Sequence, residues 1–227
     1  MKVYLRICES ENPYFARSHG QNATMDASAI MIGNDTRIGS WLFLKSEFGY
    51  TDDQIRPYTF NIAPFLADPK AIQQGYLSSE PYTIEKQAGL KPLVFLLADN
   101  GYPGYANMVL APQKWIDGNP AAVQAFVNAT RDGWIAYLFK NPAPANALIK
   151  RDNPEMSDDL IAQAIDKMKR YGIVVSGDVK SPSQIGLMTD ARWKTFFETM
   201  SADGLYPRSL HYRKAYDLRF IRKAVGQ

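Results

Sequence analysis

Cysteine and histidine are scarce in this sequence. The 227 residues include one cysteine, Cys8, and two histidines, His19 and His211. One cysteine cannot form an internal disulfide, and neither an HExxH motif nor a Cys/His cluster is present. These absences argue against a structural zinc site, and no metal is expected. The two histidines are interpreted as surface or hydrogen-bonded residues.

Long apolar runs and a charge imbalance are also lacking. No segment approaches the ~18 consecutive apolar residues expected of a membrane span. The opening MKVYLRICESENPY has no long apolar stretch and no small-residue cleavage site, so either the protein is cytoplasmic or its export signal is missing from this chain. The net charge is +3 without a dense Lys/Arg block, which argues against a nucleic-acid partner. With 46% hydrophobic and 22% charged residues, the composition is that of a globular protein.

Motifs for enzymatic catalysis are missing as well. The sequence contains no GxSxG, P-loop or GxGxxG motif. Cys8 has no histidine near it in sequence, and no pair of carboxylates stands out for acid–base work. We therefore expect a binding protein rather than an enzyme, with no catalytic residue and no cofactor.

Strand and helix signals alternate over residues 29–97. The runs AIMIG, IRPYTFNI, YLSS and KPLVFLLAD predict strands, and NDTRIGS predicts a turn. The runs SWLFLKSEFG, APFLADPKAIQQG and EPYTIEKQAG predict helices, the first with Ser40 as N-cap and Gly49 as its stop, the second ended by Gly75. Alternation of this kind is typical of an α/β fold with a mainly parallel sheet.

Residues after Asp99 are mostly helical in character. The stretch NGYPGYANMVLAP predicts a glycine-rich loop and then a strand, and three helices follow, with Asn119 and Ser157 as caps for two of them. We therefore predict two lobes. One covers 29–97, and the other combines 1–28 with 98–227. A ligand cleft is expected between them, where strands end and helices begin.

Three polar clusters fall where predicted strands meet helices or the crossover begins. They contain most of the candidate ligand-binding residues. These are Asp35, Thr36, Arg37, Ser40 and Trp41 in the first cluster, Ser79, Glu80 and Tyr82 in the second, and Tyr102 and Tyr105 in the third. Asn61, which lies outside the three clusters, is a further candidate. Helix N-termini and hydroxyl groups hold anions, carboxylates accept hydrogen bonds, and tyrosines stack on flat ligands. The competing interpretation is ordinary helix capping for the first two clusters, and a hinge loop with packed tyrosines for the third.

Several separated segments resemble one family. GYLSSEPYTIEKQAG, FLLADNGYPGYANMVLAPQKWIDGNPAAVQAFVNATRDGW, DNPEMSDDLIAQAIDKMKRYGIV and GLMTDARWKTFFETM are similar to solute-binding proteins of ABC importers in the sulfonate/nitrate/taurine and thiamine-pyrimidine-precursor group. The resemblance runs from about Ile30 to Val225, and 1–28 match poorly. It implies a type II periplasmic binding fold, with two lobes that close over a small solute and then dock on a membrane permease.

The same resemblance implies a periplasmic location and an incomplete first lobe. Family members carry an export signal and further residues ahead of the segment that matches Ile30, so the N-terminal part is expected to be missing here. An uncovered sheet edge or apolar face would then favour self-association. Within the family, the regions that match Thr36–Trp41, Ser79–Tyr82 and Tyr102–Tyr105 face the cleft.

Two other functions are alternatives to solute binding. A related fold occurs in the thiamine-pyrimidine synthase, an iron-dependent enzyme that consumes its own histidine, but Cys8, His19 and His211 do not match its requirements. The chain could also be a truncated interaction module without a transport role. The solute itself is left open: aromatic residues favour a pyrimidine-like or flavin-like ring, whereas a helix N-terminus would suit a sulfonate or an aromatic acid.

Overall fold

The computed structural model describes residues 2–6, 28–175 and 177–226, with 2–6 described by their backbone. Cys8, His19 and the polar opening predicted as a loop lie outside these residues. Contacts divide the chain into two units. Unit 1 comprises Met1–Gly104 and Thr195–Leu210, and unit 2 comprises Tyr105–Lys194 and His211–Gln227.

A five-stranded sheet forms the centre of unit 1. Its strands are β1 Lys2–Arg6, β2 Ile30–Ile32, β3 Ile55–Pro57, β4 Ile72–Tyr76 and β5 Leu93–Leu96, in the order β3-β2-β4-β1-β5. Strand β2 runs parallel to β3 and β4, whereas β1 runs antiparallel to β4 and β5. Four strands therefore share one direction, and the predicted α/β class with a mainly parallel sheet is confirmed.

The core of unit 1 lies on one face of this sheet. Side chains alternate along a strand, so Ile30 and Ile32 of β2 point to the same side as Ile72 of β4. The buried members of this core are Ile30, Ile32, Trp41, Leu44, Tyr50, Ile72 and Leu97. Two helix residues are among them, Trp41 and Leu44. This face is thus closed by the helix Trp41–Phe48, which carries both residues.

In the described chain, helices follow three of the strands of unit 1. They are α1 Asn34–Ile38, α2 Trp41–Phe48, α3 Ala63–Ala67 and α4 Glu80–Ala88, with 3-10 turns at Asp52–Gln54 and Ala98–Asn100. Gly49 ends α2 in the left-handed conformation at φ 68°, as predicted. Ser40 stands at the N-cap position of α2, as predicted, although its side chain makes no capping hydrogen bond among the described residues. The predicted turn at 34–40 contains α1 instead.

The helix predicted over residues 63–75 is the largest error in secondary structure. Helix α3 ends at Ala67, a turn closes with Ala71 N–H donating to Asp68 O at 3.0 Å, and β4 follows. Local sequence favours helix here, but β4 gains ladder hydrogen bonds from strands on both sides, which override propensity. The predicted YLSS strand is also wrong, since Tyr76 ends β4 and a turn follows.

Unit 2 is helical apart from its loops. The helices that begin in it are α5 Gln113–Gly118, α6 Pro120–Phe139, α7 Ala143–Asp152, α8 Asp158–Arg170, α9 Asp190–Ala202 and α10 Arg219–Ala224. The three long predicted helices are confirmed, and the Ser157 hydroxyl accepts from Leu160 N–H at 3.4 Å as a cap. The strand predicted in ANMVLAP is wrong, because these residues have no regular structure. Among the helices described, none is long and apolar enough to cross a membrane.

The observed units differ from the predicted lobes in three ranges. The prediction grouped 1–28 with 98–227, whereas β1 pairs with β4 and β5 of unit 1. Residues 98–104 and 195–210 also group with unit 1. These differences depend on pairing and packing between distant parts of the chain, which local patterns do not encode.

Candidate functional site

Three parallel strands of unit 1 end at the same edge of the sheet. Gly33 follows β2, Tyr58 follows β3, and Tyr76 is the last residue of β4. The backbone N–H of Tyr58 donates to Ile32 O at 3.1 Å and joins the end of β3 to the end of β2. The carboxyl edge of parallel strands is where α/β proteins place their ligands. We call the residues gathered there the carboxyl-edge cluster: Gly33, Asp35, Tyr58, Gln74, Gly75, Tyr76 and Glu80.

Glu80 is the central side chain of the carboxyl-edge cluster. It is the first residue of α4 and only 6% exposed. Its Oε1 accepts a hydrogen bond from the Tyr58 hydroxyl at 2.8 Å, and its Oε2 accepts one from Tyr76 N–H at 2.7 Å. A carboxylate at a helix N-terminus is also stabilised by the helix dipole. Glu80 therefore joins the ends of β3 and β4 to the start of α4.

Gly75 permits the close approach of α4 to β4. A Cβ added at Gly75 would lie 3.1 Å from Glu80 Cβ and 3.2 Å from Glu80 Oε2. Both neighbouring atoms belong to a side chain that two hydrogen bonds already hold. A side chain at this position would therefore require Glu80 to shift by a few tenths of an ångström.

Gln74 connects β4 to the start of α1. Its buried Oε1 accepts from Gly33 N–H at 2.7 Å. A Cβ added at Gly33 would lie 2.8 Å from Asp35 Oδ1, which shows how close this carboxylate is to the backbone after β2. Thr36, the next residue of α1, is fully buried. The first predicted cluster therefore reaches the same sheet edge as Glu80.

Burial and, to a smaller extent, nearby carboxylates raise the pKa values of two tyrosines at this edge. Burial raises the pKa of Tyr58, and the Glu80 carboxylate beside it raises it further. Burial also raises the pKa of Tyr76, with additional contributions from the charges of Asp35 and Glu80. Both hydroxyls stay protonated near neutral pH. The edge thus combines two carboxylates with neutral donors and favours a ligand that donates hydrogen bonds.

Phe60 presents an aromatic ring next to this cluster. Its ring centroid lies 5.3 Å from that of Tyr58 at an interplanar angle of 51°, and 79% of Phe60 is exposed. Its φ of 62° is the one positive value among non-glycine residues in the described chain. Bulky side chains rarely adopt this conformation, and such outliers concentrate at functional sites.

Trp41 and Ser40 have a different environment from the one predicted. Trp41 is 3% exposed, its Nε1 donates to Asp52 Oδ1 at 2.7 Å, and its ring stacks on Tyr50 with 6.1 Å between centroids. The ring therefore packs in the core of unit 1, and its role in ligand binding stays a prediction. The Ser40 hydroxyl is buried and makes no hydrogen bond to any residue that the structure describes.

The remaining predicted residues are distributed over several places. Ser79 stands at the N-cap position of α4 beside Glu80, and Asn61 Oδ1 accepts from Ala63 N–H at 2.9 Å ahead of α3. Arg37 is exposed on α1. Tyr82 lies on α4 with Lys86 Nζ 5.8 Å from its ring centroid.

Tyr102 and Tyr105, predicted as one cluster, belong to different units. In unit 1, Tyr102 packs against Phe43 and Phe196 at centroid distances of 5.2 and 6.2 Å. In unit 2, the Tyr105 hydroxyl donates to Asp178 Oδ2 at 2.7 Å and accepts from Thr189 N–H at 2.9 Å. Both tyrosines are thus engaged in packing within their own units, and their role in ligand binding stays a prediction.

Sequence reasoning missed Tyr58, Phe60, Gln74 and Tyr76. Tyr58 and Phe60 were hidden because IRPYTFNI was interpreted as one strand, whereas β3 ends at Pro57. Gln74 and Tyr76 were hidden by the incorrect helix over 63–75 and the incorrect strand after it. Pro57 was the available signal for the end of β3, because a proline has no N–H to donate to a neighbouring strand.

One family model matches the chain. Residues 46–145 match the family described as NMT1/THI5 like, which is part of the periplasmic binding protein superfamily for sulfonate, nitrate and thiamine-precursor binding. The predicted resemblance is therefore confirmed over this segment, which is less than half of the chain and contains β3, β4, α4 and β5. Members of this family are typically extracytoplasmic. No curated protein matches the chain.

Proposed function

We propose that this chain, with its NMT1/THI5-like segment, binds a small solute at the carboxyl-edge cluster of unit 1 and delivers it to an ABC permease. The observation that carries the proposal is the buried Glu80 carboxylate, held by Tyr58 and Tyr76 where three parallel strands end. The family match supports the solute-binding part. Delivery to a permease and a periplasmic location belong to the proposal.

The solute is a flat nitrogen heterocycle that presents N–H groups. Two carboxylates, Asp35 and Glu80, contribute negative charge near Tyr76, and this field repels sulfonates and carboxylic acids. The same field attracts an amino or amidine-like edge, which can donate charge-assisted hydrogen bonds. The exposed ring of Phe60 supplies a face on which such a heterocycle can stack.

The oxygens of Glu80 already have one partner each, yet they can still contact a solute. A carboxylate offers about four lone-pair sites, and Tyr58 and Tyr76 use two of them. The two existing bonds fix the orientation of the carboxylate before the ligand arrives. Preorganisation of this kind reduces the entropy lost on binding.

Calorimetric titration with four probes tests the proposal: a 4-aminopyrimidine, riboflavin, an alkyl sulfonate and benzoate. The aminopyrimidine or riboflavin should bind more tightly than either anion. Glu80→Gln should weaken binding of the aminopyrimidine roughly tenfold or more, since a hydrogen bond to a charged group contributes about 1.5–3 kcal/mol. Phe60→Ala should lose a further stacking contribution of about 0.5–1.5 kcal/mol.

Glu85→Gln is the matched control. Glu85 lies on the same helix and is exposed, so this change alters the net charge equally without touching the cluster. Tight binding of the sulfonate, or an equal effect of the Glu80 and Glu85 variants, would place the site elsewhere.

A further inference from the structure

The short helix α10 of unit 2 is buried on one side and basic on the other. Leu218, directly ahead of the helix, and Ile221 within it are 6% and 7% exposed. The Gln124 side chain of α6 donates to Phe220 O at 2.9 Å. These contacts fix α10 on α6, so that its charged side has a defined orientation. The exposed side carries the basic residues Arg219, Arg222 and Lys223.

A second basic element lies close to α10. The 3-10 turn Tyr212–Ala215 exposes Arg213 and Lys214. Asp190 joins this region to α10, because its Oδ1 accepts from the Tyr216 hydroxyl at 2.8 Å and its Oδ2 accepts from Arg222 Nη2 at 2.8 Å. These two hydrogen bonds lower the pKa of Asp190, and the charges of Arg222 and Arg213 lower it further. Arg213 therefore lies near the same carboxylate as Arg222.

The fold thus gathers basic residues that are spaced apart in the sequence. We call them the C-terminal basic patch: Arg213, Lys214, Arg219, Arg222 and Lys223. The carboxylates of Asp117, Asp190 and Asp217 offset part of this charge. Lys214 and Lys223 form no ion pair with any residue that the structure describes. Residues 211–227 hold five Arg or Lys and one acidic residue, whereas the whole chain has a net charge of +3, so the rest of the chain is slightly negative.

We propose that the C-terminal basic patch docks on an anionic lipid bilayer. Basic side chains on two neighbouring elements suit a plane of many negative headgroups, since each of them adds to the attraction. Phe220 is half-buried, with Arg219 Cζ 5.4 Å from its ring centroid, and aromatic rings beside basic side chains are typical of bilayer interfaces. A single-stranded nucleic acid would also need aromatic rings on which its bases stack, whereas the Tyr216 ring packs on Trp193 with 4.9 Å between centroids.

Co-sedimentation of the full-length chain with vesicles tests the proposal. The probes are vesicles of phosphatidylcholine alone, which are neutral, and vesicles of phosphatidylcholine mixed with anionic phosphatidylglycerol. The wild type should bind the mixed vesicles at low salt and bind the neutral vesicles at least roughly tenfold more weakly. It should dissociate from the mixed vesicles in about 1 M salt, where the Debye length is about 3 Å.

Variants of the two lysines without an ion pair locate the contact. Lys223→Gln should weaken binding to the mixed vesicles about fivefold, and Lys214→Gln/Lys223→Gln about 25-fold, the loss expected when each basic residue near an anionic surface acts independently. Lys214→Arg/Lys223→Arg should retain binding, because both charges remain. Circular dichroism should show that every variant is folded, since these exposed side chains have no ion pair to lose.

Lys140→Gln is the matched control for Lys223→Gln. Lys140 is exposed in unit 2 and follows the last residue of α6, about 24 Å along the helix from Gln124, where α10 packs. The change lowers the net charge equally and should leave binding within about twofold of the wild type.

Four outcomes would overturn the proposal. They are no binding to the mixed vesicles, equal binding to the neutral vesicles, equal losses in Lys140→Gln and Lys223→Gln, and tighter binding to DNA than to the mixed vesicles. All measurements are made without a solute, and the patch belongs to unit 2 whereas the carboxyl-edge cluster belongs to unit 1. Failure of bilayer docking is therefore independent of the proposed solute binding.

Discussion

Replacing Glu80 by alanine should destabilise unit 1 by about 2–5 kcal/mol. The carboxylate accepts one hydrogen bond from the Tyr58 hydroxyl and one from Tyr76 N–H. The alanine variant would leave these two donors without a partner near a buried position. Each unsatisfied buried donor costs about 1–3 kcal/mol.

Two milder variants define the cause of this loss. In Glu80→Gln, the amide oxygen can accept from Tyr76 N–H while the amide nitrogen donates to the Tyr58 oxygen, so the loss should stay below about 1 kcal/mol. Tyr58→Phe removes one of the donors and should cost about 1–2 kcal/mol. In the Glu80→Ala/Tyr58→Phe double variant, the loss should be smaller than the sum of the single losses, because one orphaned group is removed.

Urea unfolding monitored by circular dichroism measures these differences in the free energy of unfolding. The exposed Glu85→Ala on the same helix serves as control and should change stability by less than about 0.5 kcal/mol. The reasoning fails if Glu80→Ala is as stable as the control, or if the two changes are strictly additive. Either result would mean that the two hydrogen bonds do not hold the sheet edge.

Three further predictions follow from other contacts. Gly75→Ala should destabilise the chain by about 1–3 kcal/mol, since the new Cβ would lie 3.1 Å from Glu80 Cβ, and an unchanged urea midpoint would contradict this. The hydrogen bond from Trp41, followed by that from Lys45, lowers the pKa of Asp52 below its ordinary value of 3.8. The stabilisation that the ionised Asp52 gives should therefore be present above pH 3.8 and be lost as the pH falls further. Asp52→Asn should remove this acid sensitivity from the melting temperature. Burial, followed by the hydrogen bond to Asp178, raises the pKa of Tyr105 from 10.0 to about 12. The stabilisation that the protonated Tyr105 gives should therefore be present below pH 10 and decline toward pH 12. Tyr105→Phe should flatten this alkaline decline of the melting temperature.

Segments with strong local patterns were predicted correctly. The long helix α6 and the capped helix α8 follow from apolar spacing of three and four residues and from Ser157 with its acidic first turn. The end of α2 follows from Gly49, which adopts the left-handed conformation that glycine favours. In each case the deciding interactions lie within a few residues of one another.

Features that depend on residues farther along the chain did not follow from local sequence patterns. Residues 72–75 were predicted as helix, but they belong to β4 because β1 and β2 pair with it on either side. Trp41 packs in the core because its indole donates to Asp52 and stacks on Tyr50, and its predicted contact with a ligand stays a prediction. In both cases, a partner with no signature in the local sequence determined the outcome.

The sequence by itself determined the α/β class, the family resemblance, and Glu80 as a residue of interest. These depend on periodicity, on helix-start chemistry and on motif order, all of which are written along the chain. Only the tertiary structure decided that Glu80 is buried and held by Tyr58 and Tyr76, and that Phe60 stands beside them. The physical reason is that parallel pairing of β2 with β3 and β4 brings the ends of three separate segments to one edge. Hydrogen bonds across 22 positions, such as that between Tyr58 and Glu80, exist only once this pairing has formed.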